Sequence, residues 1–217
     1  MIKKTVIINR AVPGSGKTTI TNCIVNEIRQ NDIGVSVHST DEYFMVKNQY
    51  IFKIDKLYEY HQKNLFKFRK SIEKNIDVII CDNTNIAPWQ TEPYTQLARE
   101  NNYQIIYITL DPRELIKHVK SQKVTLEKPD AHGVEENILK NMIKEYYIYD
   151  DLLNPNIVIS EHKHVHYIWD SKKNKKIING TAKHFDSDYI IRILPDEYQD
   201  IQQTIGNKIR NLIEETT

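Results

Sequence analysis

The stretch that most constrains this chain is Ala11-Val12-Pro13-Gly14-Ser15-Gly16-Lys17-Thr18-Thr19, which follows the apolar run Val6-Ile7-Ile8 after Asn9 and Arg10. A short β-branched run predicts a buried strand, and the spacing of apolar residues from Thr19 to Gln30 predicts an amphipathic helix. The glycine-rich connection then aims its backbone N–H groups and the positive end of a helix dipole at one spot, which suits an anion. Gly14 and Gly16 allow a backbone path that side chains would block. In the pattern G-x-x-x-x-G-K-[ST], the lysine reaches the outer phosphates of a nucleotide and the hydroxyl holds Mg²⁺. Here Lys17 and Thr18 fill those positions, while Ala11 stands where the first glycine is usual. With a strand before it and a helix after it, the stretch reads as a loop binding the phosphates of an NTP. Pro13, Gly14, Ser15, Gly16, Lys17, Thr18 and Thr19 are its contact residues.

The remainder of residues 1–156 alternates between strand and helix patterns. Strands are expected at Val35–Ser39, Ile76–Cys81 and Ile105–Leu110, and helices at Ile54–Lys74, at 87–101, from Pro112 to about Gln122, and at Val134–Asp151. The segment 123–132 shows no periodicity and is expected to be a loop. Strands joined by helix-length crossovers imply a parallel sheet with helices on both faces, an α/β architecture. Residues 157–217 read differently. They suggest a last parallel strand at Ile157-Val158-Ile159, a hairpin from His164–Trp169 to Lys176–Asn179, a strand at Tyr189–Leu194 and a closing helix from Pro195 to about Glu214. The expectation is a P-loop domain over 1–156 and a small C-terminal α+β extension over 157–217.

Two aspartates end strands on the edge where such sheets bind ligands. Asp41 lies just beyond the second strand, in Ser39-Thr40-Asp41-Glu42-Tyr43-Phe44, where a kinase needs a base to accept the acceptor's hydroxyl proton. Asp82 follows four apolar residues and opens Asp82-Asn83-Thr84-Asn85; its expected task, with Thr18, is to hold Mg²⁺. Lys17, Asp41 and Asp82 are therefore the candidate catalytic set, with Asn85 a polar candidate at the same edge. Helix capping by Ser39, Thr40 or Asp41 and turn formation by 82–85 are the structural alternatives.

Four motifs occur in order: Arg10–Thr18, Ser39–Phe44, Asp82–Asn85, and His132-Gly133-Val134. Together they resemble the P-loop kinases of the polynucleotide-kinase-like, zeta-toxin-related group, over roughly residues 1–150. The resemblance implies ATP- and Mg²⁺-dependent phosphoryl transfer, with Asp41 as base and a polynucleotide 5′-hydroxyl as acceptor. A nucleotide, nucleotide sugar or other small molecule is the alternative acceptor, and a non-catalytic NTP-binding module the alternative role. Two departures stand out. The arginine that clamps the acceptor's phosphate in phage polynucleotide kinases is replaced by Phe44, which offers a base-stacking surface instead. The lid, about 117–132, holds Lys117, Lys120, Lys123 and Lys128 but no arginine; Lys120 or Lys123 is the candidate charge there. Arg113 reads first as the partner of a neighbouring carboxylate, with approach to the nucleotide as its alternative, and Tyr60 and His61 lie on a helix read as having one packed and one solvated face, with an acceptor groove as its alternative.

Thirty basic and twenty-nine acidic residues leave a net charge of +1, so no global field favours a polyanion and any such site must be local. No stretch approaches the roughly 20 apolar residues of a membrane span. The N-terminus has no pattern of a signal peptide, and two cysteines, Cys23 and Cys81, predict free buried thiols in a cytoplasmic protein. His162, His164 and His166 alternate on one strand face without an evident fourth ligand, which argues for an exposed face over a metal site. Lys172, Lys173, Lys175 and Lys176 cluster at the expected hairpin turn and read as solvated charge.

Overall fold

A computed structural model of the chain describes residues 2–125, 133–153, 167–170, 175–178 and 184–214. Its elements, in chain order, are β1 (Thr5–Ala11), α1 (Lys17–Gln30), β2 (Val35–His38), a 3₁₀ turn at Thr40–Phe44, β3 (Met45–Val46), β4 (Gln49–Tyr50), a second 3₁₀ turn at Ile54–Lys56, α2 (Leu57–Glu73), β5 (Val78–Cys81), α3 (Pro88–Glu100), β6 (Gln104–Leu110), α4 (Leu115–Thr125), α5 (Glu136–Ile148), a third 3₁₀ turn at Asp150–Leu153, β7 (Tyr167–Asp170), β8 (Lys175–Ile178), β9 (Tyr189–Ile193) and α6 (Tyr198–Ile213).

Among the described residues the central sheet has five strands in the order β2-β5-β1-β6-β9, all parallel. β1 is thus flanked by β5 on one side and β6 on the other, with Ile8 opposite both Cys81 and Tyr107. Alternate residues of each strand feed opposite faces, as the pleat requires. Ile7, Ile80, Ile106 and Ile108 pack against Ile20, Ile24 and Ile28 of α1 and Ile205, Ile209 and Ile213 of α6. On the opposite face, Val6, Ile8, Ile79 and Tyr107 meet Phe68 and Ile72 of α2 and Tyr94 and Ala98 of α3. Spacings of four along α1 and α6 place three isoleucines of each helix on one stripe.

Several sequence expectations are revised. The strand expected at 189–194 pairs in parallel with β6, and α6 packs on α1, so the sheet runs across the boundary expected at residue 156. Tertiary pairing decided this, since an isolated apolar strand does not announce its neighbour. The helix after Pro112 begins at Leu115 and continues to Thr125, into the segment expected to be a loop. A two-strand antiparallel hairpin, β3–β4, adds to the expected elements. Its turn holds Lys47 and Asn48 at φ 49° and 64°, the left-handed pair of a type I′ turn, with Lys-Asn in place of the usual Asn-Gly. The hairpin of β7 and β8 forms as an antiparallel pair. The strand at 157–159, His162, His164, His166, Lys172 and Lys173 lie outside the described residues, as do Lys128 and His132. Cys81 is buried and Cys23 half-buried, both as free thiols. Among the described residues no helix is long and apolar enough to cross a membrane.

Candidate functional site

The phosphate loop follows from what surrounds it. β1 ends at Ala11, α1 begins at Lys17, and the residues between turn back through Gly14 and Gly16 at φ 83° and 92°. Gly16 has a second reason to lack a side chain. A Cβ there would sit 2.0 Å from the phenolic oxygen of Tyr198, whose hydroxyl donates to the Gly16 carbonyl at 2.7 Å. The helix nearest the C-terminus thereby touches the loop nearest the N-terminus.

Lys17 points back over the end of β5. Its Nζ lies 2.9 Å from Asp82 Oδ1 and donates to the Asp82 carbonyl at 3.0 Å. Burial opposes the charge on Lys17, but the carboxylates of Asp82 and Asp41 outweigh it and raise its pKa. Asp82 also accepts from Asn9 Nδ2 at 2.7 Å, and that same nitrogen meets Thr21 Oγ1 at 2.7 Å. A buried strut, Thr21–Asn9–Asp82–Lys17, thus links helix, loop strand and neighbouring strand. Thr18 and Thr19 are exposed at the first turn of α1.

The four residues Asp82–Asn85 fasten three strand ends together. The Asp82 N–H donates to the His38 carbonyl, the Thr40 N–H to Asn83 Oδ1, the Ala11 N–H to the Thr84 carbonyl, and Asn85 Nδ2 to the Asn9 carbonyl at 2.7 Å. Asn85, expected to face the acceptor, is buried in this role at a positive φ of 48°, a conformation asparagine tolerates better than most residues.

Asp41 sits in the 3₁₀ turn after β2 and accepts a hydrogen bond from the Tyr50 hydroxyl at 3.2 Å. Burial and the Asp41 carboxylate together push the Tyr50 pKa up. His61 Nδ1 lies 3.1 Å from Thr40 Oγ1, and burial lowers the His61 pKa against the pull of Asp41. Lys17 thus contacts Asp82 directly and feels the Asp41 carboxylate electrostatically. Phe44 does not join them: it is 1 % exposed, with ring centroids of Phe52 at 5.0 Å and Tyr60 at 4.8 Å. The base-stacking surface expected of Phe44 is instead the core beneath the β3–β4 hairpin. Lys120 is exposed on α4. The side chain of Lys123 lies outside the described residues. Arg113 approaches the loop, with Nη1 3.5 Å from the Gly14 carbonyl and the guanidinium 5.8 Å from the Tyr198 ring.

Three residues near the site escaped the sequence reading. Asn9 and Arg10 interrupt an apolar strand, and that interruption was the available signal. Arg10 is 0 % exposed and donates to the carbonyls of Ile86, at 3.1 Å, and Tyr146; it lies 3.3 Å from Asp150 and 3.8 Å from the Tyr146 ring centroid. Burial lowers its pKa, opposed by Tyr146, Asp150 and Asp111. Tyr198, the third, carried no local signal.

A parallel sheet whose central strand runs into a glycine loop, flanked by a strand ending in aspartate, defines a P-loop NTPase of kinase-like fold. The pattern of the family described as chromatin associated protein KTI12 matches residues 5–211, and the chain belongs to that family. Human NEDD4-binding protein 2 is 31% identical over 140 residues, which are 64% of this chain and 7% of that protein. Among solved structures, Kti12 of Chaetomium thermophilum in complex with ADP-AlF3 superposes with a TM-score of 0.57 at 11% identity, over 97% of this chain and 100% of that one. The APS kinase CysC of Mycobacterium tuberculosis, in complex with AMPPNP and APS, gives 0.50 at 9% identity over 99% and 100%. At these identities the two structures share the fold.

Proposed function

We propose that the protein binds ATP with Mg²⁺ and transfers the γ-phosphate to a hydroxyl, most consistently a polynucleotide 5′-hydroxyl. The observation that carries this reading is the electrostatic coupling of Lys17 to two carboxylates of different attachment, Asp82 at the end of β5 and Asp41 after β2. A phosphate loop alone binds nucleotide; a second carboxylate across from the lysine adds a proton acceptor. The nucleotide analogues bound to Kti12 of Chaetomium thermophilum and to the APS kinase support the donor half of the reading.

In this mechanism the loop N–H groups and Lys17 hold the β- and γ-phosphates. Lys17 leaves its contact with Asp82 for the phosphates, because a polyanion offers it more charge than one carboxylate. The exposed Thr18 hydroxyl and the buried Asp82 carboxylate form a hard oxygen donor set that fits Mg²⁺. That ion would neutralise charge on the phosphates. Asp41 takes the acceptor's hydroxyl proton as the new O–P bond forms and the bond from γ-phosphorus to the bridging oxygen of ADP breaks.

The burial of Phe44 favours the second reading, a nucleotide or other small-molecule acceptor, because the position that would clamp an acceptor's phosphate is spent on packing. Transfer from γ-labelled ATP to 5′-hydroxyl DNA, 5′-hydroxyl RNA and a small-molecule panel separates the two. Lys17→Ala and Asp41→Ala are each expected to abolish labelling with the fold intact by circular dichroism. Near-normal turnover of Asp41→Ala would remove it as base, and nucleotide binding with no labelled acceptor would indicate a non-catalytic module.

A further inference from the structure

The phosphate loop has an outer side as well as the side that meets nucleotide. Three side chains reach its carbonyl oxygens from outside: His118 of α4, Tyr198 of α6, and Arg113 just before α4. They are not equivalent. The Gly16 carbonyl bonded by Tyr198 already accepts the N–H groups of Thr19 and Ile20, so α1 sets that peptide by itself. Arg113 stands at 3.5 Å, the outer limit of a hydrogen bond. His118 is different: its Nε2 lies 2.6 Å from the Pro13 carbonyl, and the residue is 0 % exposed. A carbonyl oxygen only accepts, so Nε2 carries the proton and donates.

The Pro13 carbonyl is the point at which the loop has a choice. Val12-Pro13-Gly14-Ser15 is a β-turn, closed by the Ser15 N–H on the Val12 carbonyl at 3.3 Å, with proline second and glycine third at φ 83°. That is the type II form. Types I and II differ by a flip of the central peptide, here Pro13–Gly14, and glycine tolerates both. In a planar trans peptide the C=O and the following N–H point opposite ways. Whatever fixes the Pro13 carbonyl outward therefore fixes the Gly14 N–H inward.

We infer that His118 is a positioning residue of the phosphate loop: by holding the Pro13 carbonyl it locks the turn in its type II form, with the Gly14 N–H facing the nucleotide. Because His118 belongs to α4, the loop's grip on phosphate depends on where that helix sits. The inference rests on the nucleotide-binding half of the function proposed above and not on phosphoryl transfer.

The test is ADP affinity, measured by calorimetry without turnover, for the wild-type protein, His118→Phe and His118→Gln. Phenylalanine keeps a ring of similar size and removes the donor; the glutamine amide nitrogen stands near the place of Nε2. Loss of one well-aligned hydrogen bond predicts about tenfold weaker ADP binding for His118→Phe, with most of the loss recovered in His118→Gln. Unchanged affinity in His118→Phe overturns the inference, and so does equal weakening in both variants, which would mean that shape and not the donor matters. Should His118→Phe fail to fold, nitrogen-15 spectra of the wild-type ring decide. A slowly exchanging proton on Nε2 supports the inference and a proton on Nδ1 alone overturns it. A protein that binds ADP with this pattern yet labels no acceptor refutes the kinase reading and leaves the His118 result standing. A wild type that binds no ADP overturns the inference as well.

Discussion

Replacing Arg10 with methionine should destabilise the protein by about 2–3 kcal/mol, and the structure shows which effects compete. The guanidinium is fully buried and serves two backbone carbonyls, Ile86 and Tyr146, as well as Asp150. Methionine keeps much of the stem's volume and removes the cost of burying a charge, which favours the variant. Against this, two buried carbonyls lose a charged donor, at roughly 1–3 kcal/mol each, and the stacking on the Tyr146 ring is lost. Asp150 adds little to the penalty: its side chain is 19% exposed and keeps Arg192 at 2.9 Å. The carbonyls decide the sign, because methionine has no donor for them and the end of α5 leaves its last carbonyls unpaired by helix geometry. Urea unfolding followed by circular dichroism measures the change directly. On the usual scaling for a chain of this size the melting temperature falls by about 4–12 °C. An unchanged or raised stability would refute the reasoning, since desolvation of the guanidinium would then outweigh the hydrogen bonds it makes.

Two further outcomes follow from the same structure. Gly16→Ala combines a positive φ with a clash against a rigid ring, so Gly16→Ala with Tyr198→Ala should recover part of the ADP affinity lost in Gly16→Ala alone; titrations showing no recovery would mean that φ strain is the whole effect. His38 is buried beside Ser71 Oγ at 2.9 Å, and burial, aided by Lys67, lowers its pKa to about 4. The unfolded chain takes up that proton first. Stability is thus fully present above about pH 6.5 and falls as pH drops toward 4, by at most about 3 kcal/mol. Denaturant unfolding of His38→Asn across this window should show a flatter acid limb, and an identical one would exclude His38 as its cause.

Much of the architecture was legible because it is local. The run Val6-Ile7-Ile8 before a glycine loop, and isoleucines spaced by four in α1, dictate strand, turn and helix through sterics and burial periodicity alone. The aspartates at 41 and 82 were found for the same reason, since each ends a strand pattern. What stayed hidden depends on contacts between distant segments. Asp82–Asn85 reads as four polar groups at a ligand edge, yet only packing shows Asn83 and Asn85 turned inward to tie strand ends. Phe44 looks like a stacking surface until the hairpin folds over it, with a Lys47-Asn48 turn that lacks the usual glycine.

The sequence by itself determined that a nucleotide's phosphates have a place to bind, because loop, lysine and helix N-terminus are contiguous and their geometry is set within one turn of chain. Only the tertiary structure decided what holds that loop. His118, Arg113 and Tyr198 reach it from α4, from the segment before α4 and from α6. Their separations along the chain leave no periodic trace, and the β9 strand that carries α6 into place pairs by shape and burial rather than by any local signal.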